Sequence, residues 1–385
     1  MIYLDNSATT FPSERVIRKM EEALRESAGN PSSVHAAGLK AKKLLDESRK
    51  DVLSLLGEKN PDPSSLIFTG SGTEADNLAV YGVLRAKNFR FVPRVITTNS
   101  EHPAISHILN RMEETDGIEV IRLSTRGGII DKAEFSEALN ERTVLVTMMS
   151  VNNETGAVYD IASAFSEVKA RFPECVTHSD AVQAFGKLPV LPKKLNADLV
   201  TVSGHKIRGP KGIGALYLNP ALIRQKKLIP EILGGGQENG FRSGTENMPG
   251  IAGLAEACRE ITENGFRAER AAELRSFLLD NLDPRVKVNT PSGPFLPQLV
   301  SITLPGIKSE VMLRHLSAKD VCVSSGSACS SHRRTASGTL LAFGLSERDA
   351  DCTIRVSFTP DNTEEELAVF SGALKNGLDS LARIS

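Results

Sequence analysis

With 385 residues, 40% of them hydrophobic and 24% charged, the chain is long enough to bury a large core and to form two domains of ordinary size. A formal net charge of -1 with no basic tract excludes a dominant nucleic-acid footprint, and no run approaches the roughly 18 apolar residues that a membrane span needs. The N-terminus, MIYLDNSATT, lacks the basic segment and long apolar stretch of a secretory signal, so a cytoplasmic protein is expected, with neither nucleic acid nor membrane as its partner.

From about Ser65, short β-rich runs alternate with helical patterns: SLIFT with TEADNLAVYGVLRAK, RVITT with HPAISHILNRMEE, EVIRL with DKAEFSEALN, TVLVTMMS with IASAFSEVKARF, and then CVTHSD. This alternation predicts an α/β fold with a mainly parallel sheet covered by helices. Beyond about Arg267 the pattern becomes RAAELRSFLLDNL, LVSITLPG, a further helix, VCVSS and TIRVSF with a terminal helix, which predicts a smaller α+β domain. NPDPSS and NTPSGPFLPQ read as surface connections.

Ligands of such sheets sit at the C-terminal ends of the strands. In this chain those ends carry chemically capable residues: GSGTE after LIFT, EHPA after VITTNS, VNNETG after VTMMS, DAVQ after CVTHS, and HK after LVTVSG. Thr73, in TGSGTEADNLAV, stands at a helix start, where backbone N–H groups can cap the helix unaided or cradle a phosphate. The glycines do not match the nucleotide pattern GxxxxGK followed by Ser or Thr. Asp180 follows an apolar strand, where a buried acid needs a partner: a backbone turn, an arginine, or the protonated ring nitrogen of a pyridoxal cofactor. His102 is a helix-start cap or an aromatic platform with a titratable edge.

Lys206 ends the apolar run LVTV inside a glycine-rich stretch, SGHKIRGPKGIG. Alone it reads as a solvated lysine; among neighbouring phosphate, acid and histidine candidates it reads as a nucleophilic amine. Ser203 and His205 alternate on the same run, a spacing that lets both point the same way, toward an anionic group. Arg355, in TIRVSF, suits either bidentate carboxylate binding or a structural ion pair.

The five cysteines, Cys175, Cys258, Cys322, Cys329 and Cys352, include no CxxC pair and fit neither a disulfide framework nor a zinc site. Four read as small buried hydrophobes. Cys329, in VCVSSGSACSSHRR, lies among small polar residues and glycine, with His332, Arg333 and Arg334 nearby to favour its thiolate.

Together YLDNSATT, GNPSSVH, GTEADNLA, EHPA, VNNETG, HSDAVQAFGKLP, SGHKIRGPKGIGALY, GGGQENGFRSGTEN, SSGSAC and TIRVSF resemble the cysteine desulfurases, pyridoxal-phosphate enzymes of the class V aminotransferase group. The SSGSAC stretch is similar to the NifS/IscS-type subgroup rather than the SufS-type. The resemblance spans essentially the whole chain and implies the type I fold of pyridoxal-phosphate-dependent transferases. It implies a large cofactor domain over residues 14–258 and a small domain of 1–13 and 259–385, with the cysteine loop at about 322–338. It further implies that L-cysteine gives L-alanine and a persulfide on Cys329, passed to an acceptor protein of iron–sulfur cluster assembly or tRNA thiolation.

By the same resemblance Lys206 matches the Schiff-base lysine, Asp180 the acid on the pyridine nitrogen, and His102 the histidine that stacks on the ring and takes part in proton transfer. Gln183 matches the partner of the ring oxygen, with Asn153 on the cofactor and substrate side. Gly72, Thr73, Ser203 and His205 match the phosphate cradle, and Thr245 the residue that reaches the phosphate of a partner subunit, implying a homodimer. Arg355 matches the holder of the substrate carboxylate, with Asn30 near it; no metal is implied. After the cysteine, SSHRRTASGTL stands where relatives often carry an acidic-proline segment, and LDSLARIS lacks the extended tail of housekeeping IscS-type members. Both departures point to a NifS-like member serving another acceptor, such as a tRNA-thiolating enzyme.

Overall fold

The computed structural model describes residues 1–27, 29–326 and 336–383. A two-residue strand, β1 (Ile2–Tyr3), opens the chain, followed by helices Glu14–Glu26 and Ala36–Leu55. The alternating region then supplies β2 (Leu66–Thr69), β3 (Arg94–Thr98), β4 (Glu119–Leu123), β5 (Thr143–Thr147), β6 (Val176–Asp180), β7 (Leu199–Ser203) and β8 (Gly214–Leu218). The last third adds β9 (Lys287–Val288), β10 (Leu299–Thr303), β11 (Val321–Cys322) and β12 (Thr353–Ser357) before the terminal helix Glu364–Ser380.

The central sheet has seven strands in the order β2-β8-β7-β6-β5-β3-β4. From β7 through β4 every pairing is parallel, while β8 runs antiparallel to both β7 and β2. The predicted mainly parallel sheet is therefore present, with one reversed strand fed by the glycine-rich stretch after Lys206. Successive residues point to opposite faces. Phe68, Ile96, Val146 and Tyr217 join one apolar cluster with the helix Met248–Asn264, whereas Ile67, Val95, Leu145 and Leu216 join another with Leu78 and Leu109 of the opposite layer. Each such side chain, fully buried, contributes about 1.5–3 kcal/mol, which is why the inner strands read as apolar runs rather than alternating ones.

A third cluster gathers Leu4 with Leu274, Ile302, Ile354 and Phe370. Here β10 lies between β9 and β12, both antiparallel to it, and β1 pairs in parallel with β11. Bridges join Asp5 to Ser357 and Ser324 to Arg355. The N-terminal segment thus leaves this last third at Asp5 and crosses to the sheet, where the Thr10 hydroxyl donates to the carbonyl of His205 at 2.8 Å. Cys175, Cys258 and Cys352 are buried free thiols, as expected of small hydrophobes. Cys322 corrects that expectation: it is only half-buried, because β11 is two residues long and pairs with a strand at the very end of the chain. Among the described residues no helix is long and apolar enough to cross a membrane.

Candidate active site

The C-terminal ends of β2, β3, β5, β6 and β7 converge on a cavity of about 200 Å3. After β2, Ser71 caps the helix Gly72–Leu84 by accepting from the Glu74 N–H, which leaves Gly72 and Thr73 in the first turn on the cavity wall. A Cβ on Gly72 would lie 2.9 Å from Val182 Cγ2 and 3.4 Å from Ser203 Cβ, so the absent side chain is what keeps the helix start accessible. The unpaired N–H groups of a first helical turn suit an anion.

After β3, His102 caps the next helix, its Nδ1 accepting from the Ala104 N–H at 3.2 Å. This fixes the ring plane and assigns the proton of the neutral ring to Nε2. Burial lowers the His102 pKa, against the opposing pull of Asp180. Asp180 ends β6 with Oδ1 accepting from the Val182 N–H at 2.9 Å, the backbone-turn partner foreseen from the sequence. Burial raises its pKa, offset in part by His102, that backbone bond and Lys206.

After β7 come Ser203, His205 and Lys206, all on the cavity wall. His205 Nδ1 is 3.2 Å from Thr9 Oγ1, and burial, with Lys206 beside it, pushes its pKa down to about 4. Lys206 Nζ donates to the carbonyl oxygens of Ser7 at 2.6 Å and Ala8 at 2.9 Å. Gln183 reaches the same carbonyl of Ser7 through Nε2 at 2.8 Å, while its Oε1 accepts from Lys187 Nζ at 3.0 Å. That second bond fixes which way the Gln183 amide faces.

Asn153 follows β5 on a tight hairpin, and Arg355 comes from β12 in the last third of the chain. The two meet: Arg355 Nη1 donates to the Asn153 carbonyl at 2.8 Å and Nη2 to Asp5 Oδ1 at 2.9 Å. Arg355 is 2% exposed, and its Nε has no hydrogen-bond partner among the described residues. The guanidinium is therefore both an ion-pair partner and part of the cavity wall.

Beneath the cavity lies a buried polar layer that motif reasoning passed over. His178 sits between Thr147 Oγ1 at 2.8 Å and Thr201 Oγ1 at 3.0 Å, and burial pushes its pKa down to about 3. Asp76 lines the cavity with a buried Oδ1 that lies 3.7 Å from His178 Nε2 and has no hydrogen-bond partner among the described residues, and burial raises its pKa well above the usual range. The carbonyls of Ser7 and Ala8, Asp5, Asp76 and Lys187 carried no signal of their own. The YLDNSATT match and the lysine four residues after Gln183 were the available cues.

Two expected site residues lie apart from this cavity, and a third is not among those described. Asn30 is exposed, with Oδ1 accepting from the Ser32 N–H at 2.9 Å. Thr245 is exposed on the wall of a separate cavity of about 210 Å3 beside Arg242 and Gly212. Cys329 lies outside the described residues.

The family model for class-V aminotransferases matches residues 2–370. The "Putative cysteine desulfurase IscS 1" of Bacillus subtilis (strain 168) is 38% identical over 393 aligned positions, covering 100% of this chain and 99% of the relative. Among solved structures, a "NIFS-LIKE PROTEIN" superposes with a TM-score of 0.90 at 33% identity, over 99% of this chain and 100% of that one. One described as "SspA in complex with cysteine" gives 0.81 at 31% identity, over 94% and 100%.

Proposed function

The chain belongs to the class-V aminotransferase family and is a pyridoxal-phosphate-dependent cysteine desulfurase of the NifS/IscS kind, and from that premise we propose how its own residues carry the reaction. The cavity fits the cofactor in its donor set. A helix start kept open by Gly72, with Thr73, Ser203 and a neutral His205, suits the phosphate; Asp180 is a buried acid suited to a protonated ring nitrogen; Lys206 presents an amine between them. When bound, pyridoxal phosphate supplies an electron sink for the α-carbon of the amino acid.

Lys206 would hold the cofactor through its amine, and its Nζ would move the α-proton of the substrate. Asp180 would hold the ring nitrogen protonated, Gln183 would hydrogen-bond the ring oxygen, and His102, with a proton at Nε2, would lie at the ring. Arg355, with Asn153 beside it, orients the L-cysteine carboxylate. The thiolate of Cys329 attacks the substrate sulfur. A sulfur–sulfur bond forms as the carbon–sulfur bond breaks, the electron pair stays with carbon, and a proton completes L-alanine. The persulfide on Cys329 then passes to an acceptor protein of iron–sulfur cluster assembly or tRNA thiolation, in the cytoplasm.

The division into a cofactor domain of 14–258 and a small domain of 1–13 and 259–385 accounts for Arg355 and the segment bearing Cys329 coming from one body and Lys206 from the other. A homodimer completes the site by bringing Thr245 to the phosphate of the partner subunit. The single observation that carries this reading is the convergence of Lys206, Asp180 and His102, from three strand ends, on one cavity. The test is alanine formation by cofactor-loaded protein given L-cysteine and a thiol reductant. Alanine and sulfide should accumulate together over many turnovers; their absence despite bound cofactor would refute the residue assignments.

A further inference from the structure

Glu154 follows Asn153 on the hairpin after β5, is 4% exposed, and is not part of the cavity wall. The hairpin is stiff. Asn152 Oδ1 accepts from the N–H groups of Glu154 at 3.0 Å and Thr155 at 2.9 Å and from the Thr155 hydroxyl at 3.0 Å, and a bridge joins Val151 to Val158. A buried carboxylate on so rigid a base needs a reason to be there.

Its Oε2 accepts from the Ser337 hydroxyl at 2.6 Å. Gly326 lies beside the same oxygen: a Cβ there would come within 2.6 Å of Oε2, so only glycine fits, and its φ of +81° favours glycine independently. Gly326 and Ser337 bracket the chain segment that bears Cys329, so both of its ends meet on one carboxylate oxygen. The neighbouring contacts tie this point to the substrate side. The Asn153 carbonyl holds Arg355 Nη1, and the backbone of Arg355 pairs with Ser324 in both directions, at 3.1 and 2.6 Å.

We propose that Glu154 is a positioning residue that holds Gly326 and Ser337, the described residues flanking the Cys329 segment, to the hairpin whose Asn153 carbonyl holds Arg355. The inference rests on reading Cys329 as the sulfur acceptor. A reacting group displaced by about 1 Å can lose up to ~100-fold in rate even when binding is intact. Loss of Glu154 should therefore slow sulfur transfer and spare the steps before it.

The experiment compares cofactor-loaded wild type, Glu154→Ala, Glu154→Gln, Ser337→Asp and Cys329→Ser in single turnovers with L-cysteine. It reads the change in cofactor absorbance on mixing and, separately, protein-bound persulfide. Ser337→Asp keeps a good cap for the helix Gly338–Phe343, which Ser337 now caps, but sets a like charge against Glu154, so it separates the pin from the cap. Glu154→Ala and Ser337→Asp are expected to load cofactor and give the early absorbance change as wild type does, and to form persulfide ~10-fold or more slowly. Glu154→Gln, whose amide oxygen still accepts from Ser337, should recover most of the rate. Wild-type persulfide rates in both Glu154→Ala and Ser337→Asp, with Cys329→Ser inactive, would overturn the proposal. Should Glu154→Ala fail to fold, Ser337→Asp decides alone. Persulfide in Cys329→Ser at the wild-type rate would instead remove the reading of Cys329, and the proposal with it.

Discussion

Glu101 precedes His102 and is buried, with Oε1 accepting from the Thr98 hydroxyl at 2.7 Å and the Met149 N–H at 2.9 Å, while Oε2 has no partner. Burial outweighs those two bonds and, with Asp180 nearby, pushes its carboxyl from 4.5 up to about 8. A raised pKa in the folded state means that the unfolded chain gives up this proton first. The stability Glu101 contributes is therefore complete below about pH 4.5 and is lost as pH rises through about 8. Glu101→Gln keeps the shape and the acceptor but cannot ionise, so thermal unfolding at pH 6 and pH 9 should show a smaller alkaline loss in the variant. Equal losses would mean that Glu101 does not titrate in this range. A sequence cannot announce such a residue, because its pKa follows from what surrounds it rather than from its neighbours in the chain. Lys206 and Asp180 were legible because their position at apolar strand ends is written in the local pattern. Lys187 was less so: its place four residues after Gln183 permits the bond to Gln183 Oε1, but only the fold buries its amine and pushes its pKa down to about 7.

At the scale of elements, the runs SLIFT, RVITT, EVIRL, TVLVT and VTHSD all became strands of the central sheet; all but EVIRL are largely buried on both faces, while EVIRL, at the sheet edge, leaves Arg122 exposed. Strand direction was less legible. GALYL reads like its neighbours, yet β8 reverses, since the short connection from Lys206 is too brief for the crossover that a parallel strand requires. VCVSS shrank to the two residues of β11, whose only ladder partner lies at the opposite end of the chain. The helix Gly72–Leu84 carries a prediction of its own. Alanine is the better helix former by about 1 kcal/mol, so Gly72→Ala would leave the cofactor-free protein equally or more stable if the position served only the helix. Its Cβ, 2.9 Å from Val182 Cγ2, instead fills the space over the first-turn N–H groups. Cofactor affinity should fall by more than the small loss of thermal stability that the 2.9 Å approach to Val182 imposes, as equilibrium dialysis and unfolding measured side by side would show. Unchanged affinity would take the phosphate away from this helix start.

For the whole molecule, one surface feature matters most. Phe11, Leu24, Val34, Leu39 and Leu233 are each more than half exposed, and they belong to or adjoin the first two helices and the GGGQENGFRSGTEN segment that also carries Thr245. Large apolar side chains left exposed in these segments suit an interface between subunits. The proposed dimer makes a sharper claim than association alone: Thr245 serves the partner's cofactor, not its own. A mixed dimer tests this directly. With one Lys206→Ala subunit and one Thr245→Val subunit, an exchange of Thr245 across the interface puts both defects in one site and leaves the other intact. Such a mixed dimer should keep half the wild-type turnover at wild-type cofactor affinity. If Thr245 served its own subunit, each site would carry one defect. The only site with Lys206 would then lack a bond to a charged group worth about 1.5–3 kcal/mol, and its cofactor affinity would drop roughly 10- to 100-fold. Cofactor titration of the purified mixed dimer separates the two outcomes, and only the first is compatible with a site built between subunits.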